Sequence, residues 1–237
     1  MELARDWRTE PEDEQPARER PRALPMVAAR PLGPLRSVVA RTFDLAGAIA
    51  VLALAWPLLL GGILVVLTGG GRPVFFGHVR VGRGRRLFRC WKLRTMRSDA
   101  EQRLLADGEL HQRYVGNGFK LPTAQDPRVL PGGRWLRRLY LDELPQLWNV
   151  LRGDMSLVGP RPVVPGELEL FGEHADGLLS RRPGLFGEWT SRGRRRPPYP
   201  ERVRVEMELI DDPAVARTGR ILARSLMTVL RGQGDEG

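Results

Sequence analysis

The chain has 237 residues, enough for one catalytic-sized domain with attachments. Its 38 basic side chains outnumber 28 acidic ones, a formal charge of +10, which points to nucleic acid, anionic lipid or a phosphate-bearing substrate. A single cysteine, Cys90, excludes an internal disulfide, and His78, His111 and His174 are scattered with no metal-ligand spacing, HExxH or CxxC motif.

Residues 1–34 are rich in Pro, Glu, Asp and Arg and poor in large apolar side chains. Such a composition cannot bury a core and predicts a disordered cytoplasmic tail. Residues 45–67 then carry no charge, and the uncharged stretch continues to Gly71. That is long enough to cross a bilayer as one helix and too long for a signal-peptide core. Pro57 falls in its middle, where it removes a backbone hydrogen bond and kinks the helix. Arg30, Arg36 and Arg41 precede the segment, and Arg72, Arg80, Arg83, Arg85 and Arg86 follow it. Positive charge on both flanks favours the cytoplasm for both. A segment 35–71 that bends at Pro57 and returns satisfies these facts; a tilted single span is the alternative.

Pro73-Val74-Phe75-Phe76 reads as strand, and the Gly82-Arg83-Gly84 turn predicts a β-hairpin closed by Cys90-Trp91-Lys92-Leu93-Arg94. Lys92 and Lys120 are the only lysines. Lys92 and Arg94 alternate, so both can face one side and reach a diphosphate, or both are solvated strand charges. Residues 100–114 read as one polar helix, and residues 134–139 as a basic amphipathic segment following an Asp126-Pro127-Arg128 loop. Arg134, Arg137 and Arg138 are placed to supply counter-charge to the acidic pair that follows, or to face lipid.

Leu144, Leu147, Trp148 and Leu151 recur at helical spacing, so residues 142–151 predict an amphipathic helix with Asp142 as N-cap and Glu143 in its first turn. Pro145 is tolerated there because the first turn has no amide to lose. Free N–H groups and the positive dipole end favour an ionised carboxylate and suit a phosphate. An ionised Asp beside a phosphate can attack phosphorus, while an ordinary N-cap with a first-turn Glu has the same appearance. Gly153-Asp154 gives a helix stop, residues 156–158 a short extended run, and Gly159-Pro160-Arg161-Pro162 a guanidinium braced for bidentate phosphate recognition.

Pro183-Gly184-Leu185-Phe186-Gly187-Glu188-Trp189 reads as a turn-rich loop, and residues 192–198 as a basic, proline-stiffened surface stretch. Two helices follow, 202–210 and 214–230, with Pro213 between them. In the second, Ile221, Leu222, Leu226, Val229 and Leu230 line one face and Arg217, Arg220 and Arg224 another. That pattern suits a membrane interface and equally a packed core face.

Four blocks carry a resemblance to the bacterial sugar transferases known as monotopic phosphoglycosyl transferases. They are Arg41-Thr42-Phe43-Asp44 ahead of the apolar segment; 71–81 followed by Lys92-Leu93-Arg94-Thr95-Met96; Asp126-Pro127-Arg128 with Gly133-Arg134-Trp135-Leu136-Arg137; and 142–162. The resemblance covers roughly residues 36–165. It implies transfer of a sugar 1-phosphate from a nucleotide diphosphate sugar, usually a UDP-sugar, to a membrane polyprenyl phosphate. It implies Asp142 as nucleophile on the β-phosphate, and Glu143 as its catalytic partner in metal binding or lipid-phosphate activation. It implies Mg²⁺ on Asp142 and Glu143, and Arg161 on the nucleotide phosphates. Lys92, Arg94, Arg128 and Arg137 are the further substrate-binding candidates. It also implies a re-entrant apolar helix hinged at Pro57 and a monotopic protein, bound to membrane lipids on the cytoplasmic face of the cell membrane.

The expected fold is α+β and mostly helical: a re-entrant membrane helix hairpin, a small β-hairpin, a catalytic helix and amphipathic interfacial helices. Its expected divisions are 1–34, 35–71, a catalytic core at 72–170, and C-terminal helices at 171–237. No span precedes the apolar segment, which resembles the small form of the family. The C-terminal third departs from the family pattern: Phe186 stands for a Thr, Thr190 for a Gln and Thr218 for an Asp. Those changes bear on the sugar and the nucleotide contacts. The rival reading is a single-pass anchored binding protein without catalysis. A nucleic-acid partner fits the charge but not the apolar segment, and no nucleic-acid motif is present.

Overall fold

A computed structural model describes residues 33–116, 121–188, 201–211 and 215–231. Almost all of the predicted tail lies outside them, as do Lys120, Trp189, Thr190 and the basic 192–198 stretch.

Pro34 opens α1 (Pro34–Thr68), where its missing N–H is harmless. The helix continues through Pro57, so the expected bend is not present as a change of secondary structure. The proline deletes one hydrogen bond, and packing on both sides of it holds the helix. On one side Arg41, Asp44, Ala48 and Leu52 meet the rest of the protein; on the other, Leu59, Gly62 and Val66 do. This is one stripe at three- and four-residue spacing. Gly62 allows close approach, since a Cβ there would lie 2.7 Å from Leu93 Cδ1. The remaining faces are open, with Leu54 82% exposed, and only 11% of the most apolar window is buried. A soluble core helix has the reverse pattern.

The hairpin forms as expected: β1 (Phe75–Val81) pairs antiparallel with β2 (Leu87–Leu93), with Phe76 opposite Lys92 and His78 opposite Cys90. The single polar helix predicted next is instead two, α2 (Ala100–Ala106) and α3 (Gly108–Gly116). Asp107 causes the split: its Oδ1 accepts the Leu110 N–H at 3.0 Å and starts a new helix. After α4 (Gly133–Arg138), a 3₁₀ turn (Leu141–Glu143) leads to α5 (Gln146–Arg152), then β3 (Ser156–Val158). A 3₁₀ segment (Pro165–His174), α6 (Ala175–Leu179), β4 (Gly184–Phe186), α7 (Glu201–Asp211) and α8 (Val215–Leu230) complete the order.

The 183–189 segment is therefore not all loop. Its β4 pairs in parallel with β3, Ser156 opposite Gly184 and Val158 opposite Phe186. Gly159 and Gly184 make this approach feasible: a Cβ on Gly184 would stand 2.1 Å from the Gly159 nitrogen. In α8, Ile221, Ser225 and Thr228 turn inward toward β3 and β4, while Leu226 is 58% exposed. The inward face is thus not the apolar stripe read from the sequence; small hydroxyl side chains let the helix lie close. Thr228 meets its own need by donating to the Arg224 carbonyl at 3.0 Å.

Four apolar clusters are present among the described residues; the smallest joins Leu104, Leu110 and Leu121, and the other three are larger. Ala48 of α1 joins Cys90, Leu147, Val150, Met155 and Leu157. Val66 of α1 joins Leu93, Leu130 and Leu136. Val81 and Val163 join Phe171, Leu178, Val203, Met207 and Ile210.

Candidate active site

The acidic pair is presented by a 3₁₀ turn rather than by the first turn of the helix. Pro145 has no N–H to offer the Leu141 carbonyl, so the Leu144 N–H takes that oxygen at 3.3 Å. Asp142 is consequently not the N-cap of α5; Pro145 holds that position, with no side-chain cap bond. Tyr140, at φ 56°, reverses the chain between α4 and this turn.

Asp142 is buried, with 8% of its surface exposed. Beside it, Glu143 Oε1 accepts from Lys92 Nζ at 2.6 Å, a charge-assisted contact. The Lys92 and Glu143 side chains keep 34% and 27% of their surfaces exposed, so the pair is open to a ligand. Burial works against the Lys92 ammonium, but Glu143 and Asp142 outweigh it and hold its pKa above the ordinary lysine value. Lys92 supplies counter-charge to the acidic pair from β2, a source the sequence reading did not assign to it. Arg137 donates from Nε to Thr95 Oγ1 at 2.9 Å and from a terminal nitrogen to Thr123 Oγ1 at 3.3 Å.

Asn149, which the sequence reading missed, sets this geometry. Fully buried, its Oδ1 accepts the Trp91 N–H at 3.0 Å and its Nδ2 donates to the Arg89 carbonyl at 2.8 Å. It pins α5 against β2 on the residue before Lys92. At the far end of α5, Arg41 of α1 donates to the Val150 and Leu151 carbonyls at 2.6 and 2.8 Å. Asp44 accepts from the Leu157 N–H and the Ser156 hydroxyl, both at 2.8 Å. The apolar helix thus grips both α5 and β3.

Arg161 lies on the loop after β3. Its backbone N–H donates to Glu206 Oε2 of α7 at 3.1 Å, and Arg80 of β1 donates to the Pro162 carbonyl at 3.3 Å. Burial raises the Cys90 thiol pKa, Lys92, Arg80 and Arg161 pull it down, and Glu143 pushes it up. One buried atom on β2 therefore lies within electrostatic reach of Lys92, Glu143, Arg80 and Arg161. Arg80 also escaped the sequence reading, because its place is set by the loop it meets 82 residues later.

The other candidates lie elsewhere in contact terms. Arg128 forms a two-pronged pair with Asp126, both contacts 2.8 Å, and stacks on Tyr114 at 5.1 Å. Burial opposes the Asp126 carboxylate, but the Arg128 bonds outweigh it and hold its pKa below the usual range. Arg94 donates to the Pro73 carbonyl at 2.7 Å and covers the Phe76 ring.

Asp142 and Glu143 are hard oxygen donors and fit a Mg²⁺ that keeps waters and borrows substrate phosphates. One Glu143 oxygen is already engaged by Lys92, and the described residues contain no cluster of three or more metal-ligating side chains.

A small α+β body with an acid–lysine site, laid along an apolar helix long enough to cross a membrane, is the class of protein these parts define. Residues 35–232 match the model of the family described as bacterial sugar transferase, and the chain belongs to that family. It is 39% identical over 197 residues to the undecaprenyl-phosphate galactose phosphotransferase of Salmonella typhimurium, and equally to the UDP-galactose-lipid carrier transferase of Erwinia amylovora. Each alignment covers 82% of this chain but only 41% of the relative. The exopolysaccharide production protein ExoY of Rhizobium meliloti is 36% identical over 209 residues, covering 88% of this chain and 91% of that protein.

Proposed function

We propose that this chain transfers a sugar 1-phosphate from a UDP-sugar to a polyprenyl phosphate, initiating synthesis of a cell-surface glycan. The observation that carries the reading is buried Asp142 beside the 2.6 Å Lys92–Glu143 pair, in a chain of this family. An Asp142 carboxylate oxygen attacks the β-phosphorus; the bond from that phosphorus to the bridging oxygen breaks, and UMP leaves. A phosphate oxygen of the polyprenyl phosphate then attacks the same phosphorus and frees the carboxylate. Lys92 keeps Glu143 oriented and offsets charge at the diphosphate, and Arg161 binds the nucleotide phosphates with its braced fork. Asp142 and Glu143 would hold Mg²⁺, which supplies charge neutralisation at the diphosphate oxygens.

The path of α1 supports a monotopic placement, and the arginines on both flanks favour the cytoplasmic face. Residues on both sides of Pro57 pack on one body, and a body on one side of a bilayer cannot touch both ends of a crossing helix. The same point counts against the single-pass binding protein.

Purified protein given polyprenyl phosphate and a panel of UDP-sugars should release UMP with one or more of them. Without the lipid acceptor it should gain a phosphosugar adduct by intact-protein mass spectrometry. Asp142→Asn should lose the adduct and several orders of magnitude in turnover. Activity within about tenfold of wild type, roughly 1.4 kcal/mol of barrier, would sink the nucleophile assignment. Chelation by EDTA should stop turnover with little change in melting temperature; full activity in excess EDTA refutes the metal.

A further inference from the structure

Behind the Arg161 loop lies a carboxyl that the chemistry above does not use. Glu206 is fully buried on α7, and its Oε2 accepts the Arg161 backbone N–H at 3.1 Å. Its Oε1 is buried with no hydrogen-bond partner among the described residues. Arg161 from the loop, Arg202 from its own helix and Glu188 from the segment after β4 act on it electrostatically. Arg202 is shared with Glu167 of the 3₁₀ segment at 3.7 Å, and Glu188 is paired with Arg217 of α8 at 3.3 Å. On α7 its neighbours Val203, Met207 and Ile210 pack with Leu178 and Leu179 of α6.

We propose that Glu206 is a positioning residue for Arg161: its carboxyl anchors the loop backbone between Pro160 and Pro162, and its charge state tunes how tightly that loop holds nucleotide phosphate. This inference rests on the reading of Arg161 as a phosphate contact. Burial pushes the Glu206 pKa up to about 7, so the group changes charge near neutral pH. An anionic ligand at Arg161 disfavours the ionised form of a carboxyl held on the same residue. By linkage, phosphate binding and protonation of Glu206 reinforce each other, so affinity falls as pH rises through 7. Glutamine keeps the acceptor oxygen and stays neutral; leucine removes the acceptor.

The test uses the full chain in lipid nanodiscs, with UMP as probe, from pH 6 to pH 8. Glu206→Gln should bind UMP as wild type does at pH 6 and at least threefold more tightly than wild type at pH 8. Glu206→Leu should bind at least tenfold more weakly than Glu206→Gln throughout. Glu206→Gln affinities parallel to wild type at every pH, or undiminished binding by Glu206→Leu, overturn the role. If Glu206→Gln does not fold, wild-type calorimetry at pH 7.5 in two buffers of different ionisation enthalpy decides. Net proton uptake on UMP binding supports the proposal, and zero uptake or release overturns it. Arg161→Lys separates the two layers. If it binds UMP like wild type, the phosphate reading of Arg161 fails and takes this inference with it. If it weakens binding while the Glu206 variants behave as wild type, only the Glu206 role fails.

Discussion

Burial acts against the charged form of both Lys92 and Glu206, with opposite outcomes. Lys92 keeps its charge because two carboxylates outweigh its burial, whereas burial outweighs the arginines around Glu206. The Glu206 shift is also a stability statement. Between about pH 4.5 and 7 the folded chain retains a proton that the unfolded chain has lost, so stability falls as pH rises through that window and levels above it. The full effect is on the order of 3 kcal/mol. Glu206→Gln should therefore match wild type near pH 4.5 and melt several degrees higher at pH 7.5. A melting-temperature difference that does not change with pH would contradict this. Asp142, Glu143 and Lys92 could be singled out in the sequence because an acidic pair ahead of an apolar-periodic run and an alternating strand are local patterns. Asn149, Arg80 and Glu206 could not, because each acts on chain 45 to 82 residues away.

At the scale of elements, local pattern found α1, the hairpin, α4, α5, β3, α7 and α8, but it merged α2 with α3, gave nothing for α6, read β4 as loop and misjudged several ends. Pro145 was read as a first-turn proline of a helix beginning at Asp142; its missing N–H instead splits off the 3₁₀ turn that carries the acidic pair. Asp107 was read through as helix interior, although its side chain caps α3. Strand β4 was hidden under Pro and Gly, residues that signal turns until a partner strand supplies the ladder. That partner is β3, and the pairing hands the Phe186 carbonyl to the Gly159 N–H at 3.0 Å and the Pro160 carbonyl to the Gly184 N–H at 2.8 Å. The Arg161 loop is thus hung from β4. Gly184→Ala should collide with the Gly159 backbone, lower the melting temperature and weaken UMP binding more than tenfold. Wild-type affinity in Gly184→Ala would show that β4 does not hold the loop. Phe186 stands on this same strand, which carries the Arg161 loop.

For the whole molecule, the apolar helix is the part whose existence was plainest and whose placement was least so. Composition marks residues 45–67 as lipid-compatible, but only tertiary contacts reveal a stripe along the body from Arg41 to Val66. Cysteines placed singly at Arg20 and Ser98, in a Cys90→Ser background, should both resist an impermeant thiol reagent in intact cells and react after permeabilisation. Labelling at position 20 from outside would make the segment an ordinary span. The stripe has a consequence for anyone wishing to produce this protein without lipid. Deleting the first 71 residues would not release an intact folded body, because Ala48 and Val66 form walls of two of its apolar clusters. It would also strip Arg41 from the carbonyls at the end of α5 and leave the Leu157 N–H without Asp44. A soluble version has to keep α1 and repaint its outer face, replacing Ile49, Leu54, Trp56, Leu60 and Leu64 with polar residues while leaving the stripe untouched.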